Sequence, residues 1–317
     1  MRLLFCGTPQ FAVPTLEHLL AQSDFEIAGV ITQPDRPRGR GQEVTFSPVK
    51  ATALAANVPV FQPEKIRASE SEQLLRDAKA DAIVIIAYGQ IVPARLLSIP
   101  KLGWINSHAS LLPKYRGAAP IQWVLANGGT RTGVTTMRID AGMDTGEMLL
   151  RKEISISPDE STPQLAARLA EISAPLMAET LRGLRDSTIR GTPQNHAEAT
   201  LAPLLKKEDG RINWLLPAQT IYDRMRGFTP WPGAFSPYKG VICQILGSPA
   251  SAEAAVRAGN AVAQPPGTIQ IDGANLLVSC GEKTLLHVSR VKQEGRREVS
   301  APEFVNGARI QSGEHFG

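Results

Sequence analysis

Short apolar runs alternate with helix-like stretches through the first half of this 317-residue chain, and that alternation limits the folds open to it. LLFC (3–6), EIAGVIT (26–32) and DAIVIIA (81–87) are too brief for helices and apolar enough to be buried on both faces. Between them lie helical stretches at Val13–Leu20, 47–56 and 71–80. The strand GWINSH (103–108), the helix APIQWVLAN (119–127) and two further strand-like runs at 133–140 and 147–156 follow. Strands alternating with helices predict an α/β architecture, a Rossmann-like, doubly wound, mostly parallel sheet. Ser161-Thr162-Pro163-Gln164 reads as a helix start, with a hydroxyl cap and proline in the first turn. Leu165, Leu169 and Ile172 give that helix its apolar face, and Pro175 predicts a kink.

Periodicity fades over 187–203, which reads as a linker between a first domain at 1–186 and a second at 204–317. In the second, Ile221, Tyr222, Met225 and Phe228 share a helical face. Four β-type runs follow, with breaks at Asp272-Gly273 and Cys280-Gly281-Glu282 that predict hairpins. A smaller antiparallel β-barrel, OB-like, fits this pattern, and so does a plain β-sandwich.

Bulk properties narrow the functional classes. No apolar run approaches the ~18 residues of a membrane span, and the N-terminus lacks the pattern of a signal peptide. The 3 cysteines are far apart and form neither a disulfide framework nor a zinc spacing, so a reducing cytoplasmic setting is expected. A net charge of +4 permits a polyanionic partner without requiring one. The first βα turn, Cys6-Gly7-Thr8-Pro9-Gln10, has a single glycine, which fails the dinucleotide fingerprint and disfavours nicotinamide chemistry.

The polar loops carry more information. Thr32–Arg36, Ala87–Gln90, the pair Asn106 and His108, and Asp140–Gly146 each follow a strand. Parallel sheets bind ligands at the carboxyl ends of their strands, so these loops are expected to converge on one edge. Asn106 and His108 share a face while Ser107 points the other way. No serine or cysteine stands in a nucleophile elbow, and one His, one Asp and one Asn make a poor zinc set. The trio suits acyl transfer in which the substrate brings its own nucleophile. Asn106 and His108 would hold a developing oxyanion, and Asp144 would orient the imidazole and relay protons.

These same residues resemble a known family. Asn106-Ser107-His108, Ser110-Leu111-Leu112-Pro113-Lys114-Tyr115-Arg116-Gly117 and Asp140-x-Gly142-Met143-Asp144-Thr145-Gly146 resemble the 10-formyltetrahydrofolate-dependent formyltransferases. Phe5-x-Gly7-Thr8-Pro9-x-Phe11-Ala12, the loop Thr32–Gly41 and Arg226-Gly227-Phe228-x-Pro230-Trp231-Pro232-Gly233-Ala234 resemble in particular the members that act on methionyl-tRNA. The resemblance implies that Asn106, His108 and Asp144 are catalytic. It implies that Ser110, Leu111, Leu112, Pro113, Ile86, Tyr88, Gly89, Gln90 and Asp140 hold 10-formyltetrahydrofolate, with no metal. It further implies initiator methionyl-tRNA as partner, with Arg36, Arg38, Arg40, Lys206 and Lys207 on the nucleic acid and Arg211, Arg290, Lys292, Arg296 and Arg297 as further basic candidates. A monomer is expected. A relative formylating glycinamide ribonucleotide or an amino-sugar would share the catalytic trio but lack the arginine loop and the barrel. An RNA-binding module on a degenerate Rossmann domain would need no intact trio.

Overall fold

In the computed structural model, which describes residues 1–38, 43–251 and 264–317, strand β1 (Arg2–Gly7) lies inside the first sheet, buried from Leu3 onward. It pairs in parallel with β2 (Glu26–Ile31) on one side, where α1 (Val13–Leu20) makes the crossover. The two-residue pair β3 (Pro37–Arg38) and β4 (Glu43–Val44) follows, then α2 (Pro48–Ala55), and β5 (Val60–Phe61) adds to the edge beside β2. After α3 (Ser69–Asp77) the chain returns as β6 (Ala82–Ile86), parallel to β1 on its other side. The short α4 (Ala94–Leu97) leads to β7 (Trp104–His108), parallel to β6. Helix α5 (Pro120–Ala126) precedes β8 (Arg131–Arg138) and β9 (Met148–Ser155), which complete seven strands in the order β5-β2-β1-β6-β7-β8-β9.

The period of two sorts side chains onto the two faces. Leu3, Phe5, Val84, Ile86 and Ile105 pack in one cluster with Met177 and Leu181, while Leu4, Cys6, Ile83, Ile85 and Trp104 form the core on the opposite face. Double coverage explains why these strands read as unbroken apolar runs. Helix α6 (Thr162–Arg185) supplies Met177 and Leu181 and continues through Pro175. Near its end Arg182 and Arg185 grip Asp24, and these hydrogen-bonded guanidinium groups hold that carboxyl well below its ordinary range.

One expectation is corrected. β8 runs antiparallel to β7, with Ile105 opposite Arg138 and His108 opposite Thr135, and β9 is antiparallel to β8. The loop after Arg138 therefore starts level with the beginning of β7, not with its carboxyl end. Three residues of strand separate Ile105 from His108, roughly 10 Å at ~3.3 Å per residue, and the loop doubles back over that span.

Residues 187–203 are not a free tether. Thr192 bridges to Met148, Leu201 bridges to Arg116, and His196–Glu198 makes a single 3-10 turn. Two units emerge: 1–120, 131–156 and 164–203 form the first, and 121–130, 157–163 and 204–317 form the second.

The second unit holds α7 (Ala218–Gly227) and the strands β10 (Phe235–Tyr238), β11 (Val241–Pro249), β12 (Ile269–Asp272), β13 (Asn275–Ser279), β14 (Leu285–Gln293) and β15 (Val299–Ser300). Its strand order is β10-β11-β14-β13-β12 with β15 on β14, and every pairing is antiparallel. One curled sheet forms a half-barrel, which decides between the two readings in favour of the barrel. Asp272 pairs with Asn275 across the predicted turn at Gly273. Ile245, Leu276, Val278, Leu286, Val288 and Val291 fill the interior with Ile221 and Met225 of α7 and Phe304 of α8 (Ala301–Ala308). Among the described residues no helix is long and apolar enough to cross a membrane.

Candidate active site

The strand β7 decides what Asn106, Ser107 and His108 can do. Ser107 is buried and shares a hydrogen bond of 2.6 Å with Ser173 of α6, which in turn lies 3.1 Å from Thr15. It is structural, and the parity of the strand puts its neighbours on the other face. There the half-buried Asn106 has a side-chain amide with no hydrogen-bond partner among the described residues. His108 is only 6% exposed, and one ring nitrogen is hydrogen-bonded while the other faces a carboxylate. Its Nε2 lies 2.9 Å from the carbonyl oxygen of Tyr115. A carbonyl can only accept, so Nε2 carries the hydrogen, and Nδ1 of the neutral ring keeps its lone pair. That nitrogen faces Oδ2 of Asp144 at 3.7 Å, too far for a direct hydrogen bond, and the two form an ion pair only when the ring carries a second proton.

Asp144 is held by the main chain of the loop after β7. The Gly117 N–H donates to its Oδ2 at 2.8 Å. Gly117 has a φ of +119°, and a Cβ there would sit 2.7 Å from the carbonyl oxygen of Ala202, so glycine is required by both conformation and space. Tyr115, whose carbonyl sets the imidazole, is pinned by its own N–H to Thr200 Oγ1 at 2.8 Å. His108 and Asp144 therefore rest on peptide groups of 115 and 117.

The other anticipated residues divide into main-chain and loop-building roles. Ser110 is fully buried, with its hydroxyl donated to the Lys114 carbonyl at 2.6 Å, and Thr135 ties the 110–112 turn from β8. Leu112 and Ile86 are buried in the core, so only their peptide groups are available to a ligand, while Leu111 and Pro113 are half-buried. The Tyr88 phenol is buried without a partner for its hydroxyl among the described residues, and burial pushes its pKa up. Its carbonyl accepts from Thr8 at 3.1 Å and Gln33 at 3.0 Å. Gln90 receives the Ile66 N–H at 2.7 Å. Asp140 caps its own loop, accepting from Gly142 at 3.1 Å and from Thr145 at 2.7 Å. Ala87 and Gly89 are exposed between these anchors, and Ile91, which the sequence reading passed over, is 92% exposed. Met143, part of the Asp140–Gly146 motif, is 68% exposed in the Asp144 loop.

Of the basic residues, Arg36 is exposed and lies 3.6 Å from Glu64. Neighbouring Asp35 pairs with Lys50, whose ammonium holds its carboxyl below the ordinary range. Arg40, Gly39 and Gly41 lie outside the described residues, as does the side chain of Arg38. Lys206, Lys207, Arg211, Lys292 and Arg296 are exposed; Arg290 pairs with Glu298, and Arg297 lies 3.4 Å from Glu303.

The geometry thus presents a bare amide, an imidazole lone pair beside a carboxylate, and exposed peptide groups next to an apolar side chain. The formyl transferase family model matches residues 1–181, and that of the formyl transferase C-terminal domain matches 204–309. A methionyl-tRNA formyltransferase of Koribacter versatilis is 50% identical over 321 residues, covering 100% of this chain and 99% of its own length. One from Solibacter usitatus is 51% identical over 318 residues with the same coverage, 100% and 99%. Among solved structures, an N-formyltransferase from Helicobacter canadensis in complex with folinic acid and dTDP-3-aminofucose has a TM-score of 0.65 at 17% identity, covering 90% of this chain and 98% of that one. HypX from Aquifex aeolicus in complex with tetrahydrofolic acid gives 0.62 at 13% identity, covering 100% of this chain and 50% of that one. At those identities the structural likeness concerns the fold alone. On its two matched regions and its full-length relatives, the chain belongs to the formyl transferase family, in the group of the methionyl-tRNA formyltransferases.

Proposed function

We propose that this chain transfers the formyl group of 10-formyltetrahydrofolate to the α-amino group of methionine on initiator tRNA, with Asn106, His108 and Asp144 as the catalytic residues. The observation that carries the site assignment is the two-sided fixing of His108, with Nε2 on the Tyr115 carbonyl and Nδ1 facing Asp144 at 3.7 Å. A neutral amine attacks the formyl carbon and must shed a proton as the new C–N bond forms. Nδ1 is the acceptor in reach of that site, and the adjacent carboxylate stabilises the imidazolium that results. Asn106, whose amide has no hydrogen-bond partner among the described residues, donates N–H to the formyl oxygen as negative charge gathers there. The proton passes on to the folate nitrogen as the bond from that nitrogen to the formyl carbon breaks. This differs from a His108 that donates to the oxyanion, because its one N–H is already committed to Tyr115.

A pterin is flat and rich in hydrogen-bonding groups, which suits exposed peptide groups beside apolar side chains. The peptides of Ile86, Ala87, Tyr88 and Gly89 with the 110–113 turn would hold it, and Leu111 and Ile91 would cover its faces. Gln90 and Asp140 shape the loops that carry those contacts. Arg36, Arg38 and Arg40, together with Lys206 and Lys207, are proposed to meet tRNA phosphates.

The deciding assay uses purified protein, 10-formyltetrahydrofolate and charged initiator methionyl-tRNA, with elongator methionyl-tRNA as control. Formylation of the initiator species is expected. Formylation of a free amino-sugar or of glycinamide ribonucleotide, with methionyl-tRNA left unmodified, would overturn the assignment. His108→Ala is expected to depress kcat with folate binding retained, and wild-type turnover between pH 6 and 8 would remove His108 from the proton path.

A further inference from the structure

Asp144 stands on a loop that folds back from β8, and a loop of that kind needs something behind it. The segment after α6 provides this backing. Gln194, 6% exposed, donates its side-chain amide to two carbonyl oxygens of the loop, those of Asp144 and Gly146, each at 2.8 Å. Both bonds come from one nitrogen, so the amide closes the loop around the carboxylate as a staple would. The other end of Gln194 is equally committed. Its Oε1 accepts from Nε and Nη2 of Arg116, at 3.0 and 2.6 Å. Arg116 is itself 6% exposed, and its Nη1 donates to Nδ1 of His196 at 3.2 Å. Arg116 also sits between Tyr115 and Gly117, the two residues whose peptide groups set His108 and Asp144. Its N–H donates to the Thr200 carbonyl at 2.8 Å, and its carbonyl accepts from Ala202 at 2.7 Å.

We propose that Gln194 is a positioning residue for Asp144, and that Arg116 orients Gln194 for that task. The pair ties the loop carrying the carboxylate to the loop carrying the imidazole's partner, and so holds the 3.7 Å approach of Asp144 to His108. Two observations argue against mere packing. A buried guanidinium is costly to desolvate, and among the described residues this one pairs with an amide oxygen and an imidazole, not with a carboxylate. The planar fork meets a single oxygen with two N–H groups, which fixes the amide's orientation so that its nitrogen points into the loop. Gln194→Glu would keep the partner of Arg116 and remove both N–H donors.

This inference rests on the formyltransferase reading, and the experiment separates the two. Wild-type protein without formylation activity would defeat that reading and leave the positioning inference to the exchange measurement below. With wild-type activity established, Gln194→Glu is expected to lower kcat on the order of 10²-fold, the scale of a loss of about 1 Å in catalytic placement. KM for the folate and for methionyl-tRNA is expected to stay within about 2-fold of wild type. In an Asp144→Asn background the same substitution is expected to change kcat less than ~3-fold, since its effect passes through the carboxylate. Amide hydrogen exchange at 142–147 is expected to quicken in Gln194→Glu and in the neutral isostere Gln194→Met. Wild-type kcat in both variants would overturn the proposal, and so would an undiminished effect in the Asp144→Asn background. If neither variant folds, Gln194 is a fold-forming residue and the positioning role is likewise overturned.

Discussion

His108 shows how little freedom a side chain retains once its surroundings are counted. One nitrogen is tied to a peptide carbonyl and the other faces a carboxylate, and the proposed base is therefore Nδ1. Asn106 is the opposite case, a polar group without a hydrogen-bond partner among the described residues, and its proposed role as a donor uses that freedom. Asn106→Ala should therefore lower kcat by about 10²–10³-fold, the usual loss of one oxyanion donor, with tRNA affinity unchanged in a filter-binding titration. The three cysteines make the contrasting prediction. Burial pushes Cys243 up to about 11, Cys280 up to about 12 and Cys6 higher still. Thiolate is the reactive form, so native protein at pH 8 should resist iodoacetamide at all three positions, and mass spectrometry should find adducts only after denaturation.

Elements decide which residues can meet. Gly117 sits where the loop after β7 passes under Ala202, and Gly117→Ala forces a side chain into a positive-φ position against a carbonyl oxygen. The backbone strain alone costs of order 1–3 kcal/mol, so calorimetry should show a lowered Tm, and the displaced N–H should lower kcat as well. The facing of Asn106 and His108 could be read from sequence because strand parity is encoded residue by residue: Ser107 had to face away, and it does. The direction of β8 could not be read. An apolar run has the same appearance whether its strand lies parallel or antiparallel to its neighbour, so the Asp144 loop was expected to start beside the end of β7, whereas it starts level with the beginning of β7 and reaches His108 by doubling back. Gln194 and Arg116 were hidden for another reason. A buried polar pair is defined by partners 78 residues apart, and nothing local in the aperiodic 187–203 stretch announces it.

At the scale of the whole molecule, charge governs encounter and acid tolerance. If Lys206 and Lys207 each touch a phosphate, Lys206→Ala and Lys207→Ala should each reduce the dependence of log K on log salt by roughly one unit, and an unchanged slope would place the contacts elsewhere. Asp24 links the end of α6 to the turn after α1, and its folded-state carboxyl is depressed by Arg182 and Arg185. A depressed carboxyl contributes stability that is fully present above its unfolded value, near ~3.9, and fades as pH falls toward the folded one. The acid limb of a Tm-against-pH curve should therefore be shallower in Arg182→Ala than in wild type, while the two converge at the lowest pH. Both half-barrel and α/β sheet were legible because hairpin breaks and strand–helix alternation are local patterns.

The groups that orient the imidazole and the carboxylate belong to the polymer itself, the oxygen of residue 115 and the hydrogen of residue 117. An alanine scan walks past the first of them, since every replacement at 115 still carries that oxygen. Only an edit of the amide linkage, such as an ester bond introduced by semisynthesis between 115 and 116 or between 116 and 117, would weaken one without touching any side chain. The scaffolding of this centre can therefore endure while the side chain at 115 drifts.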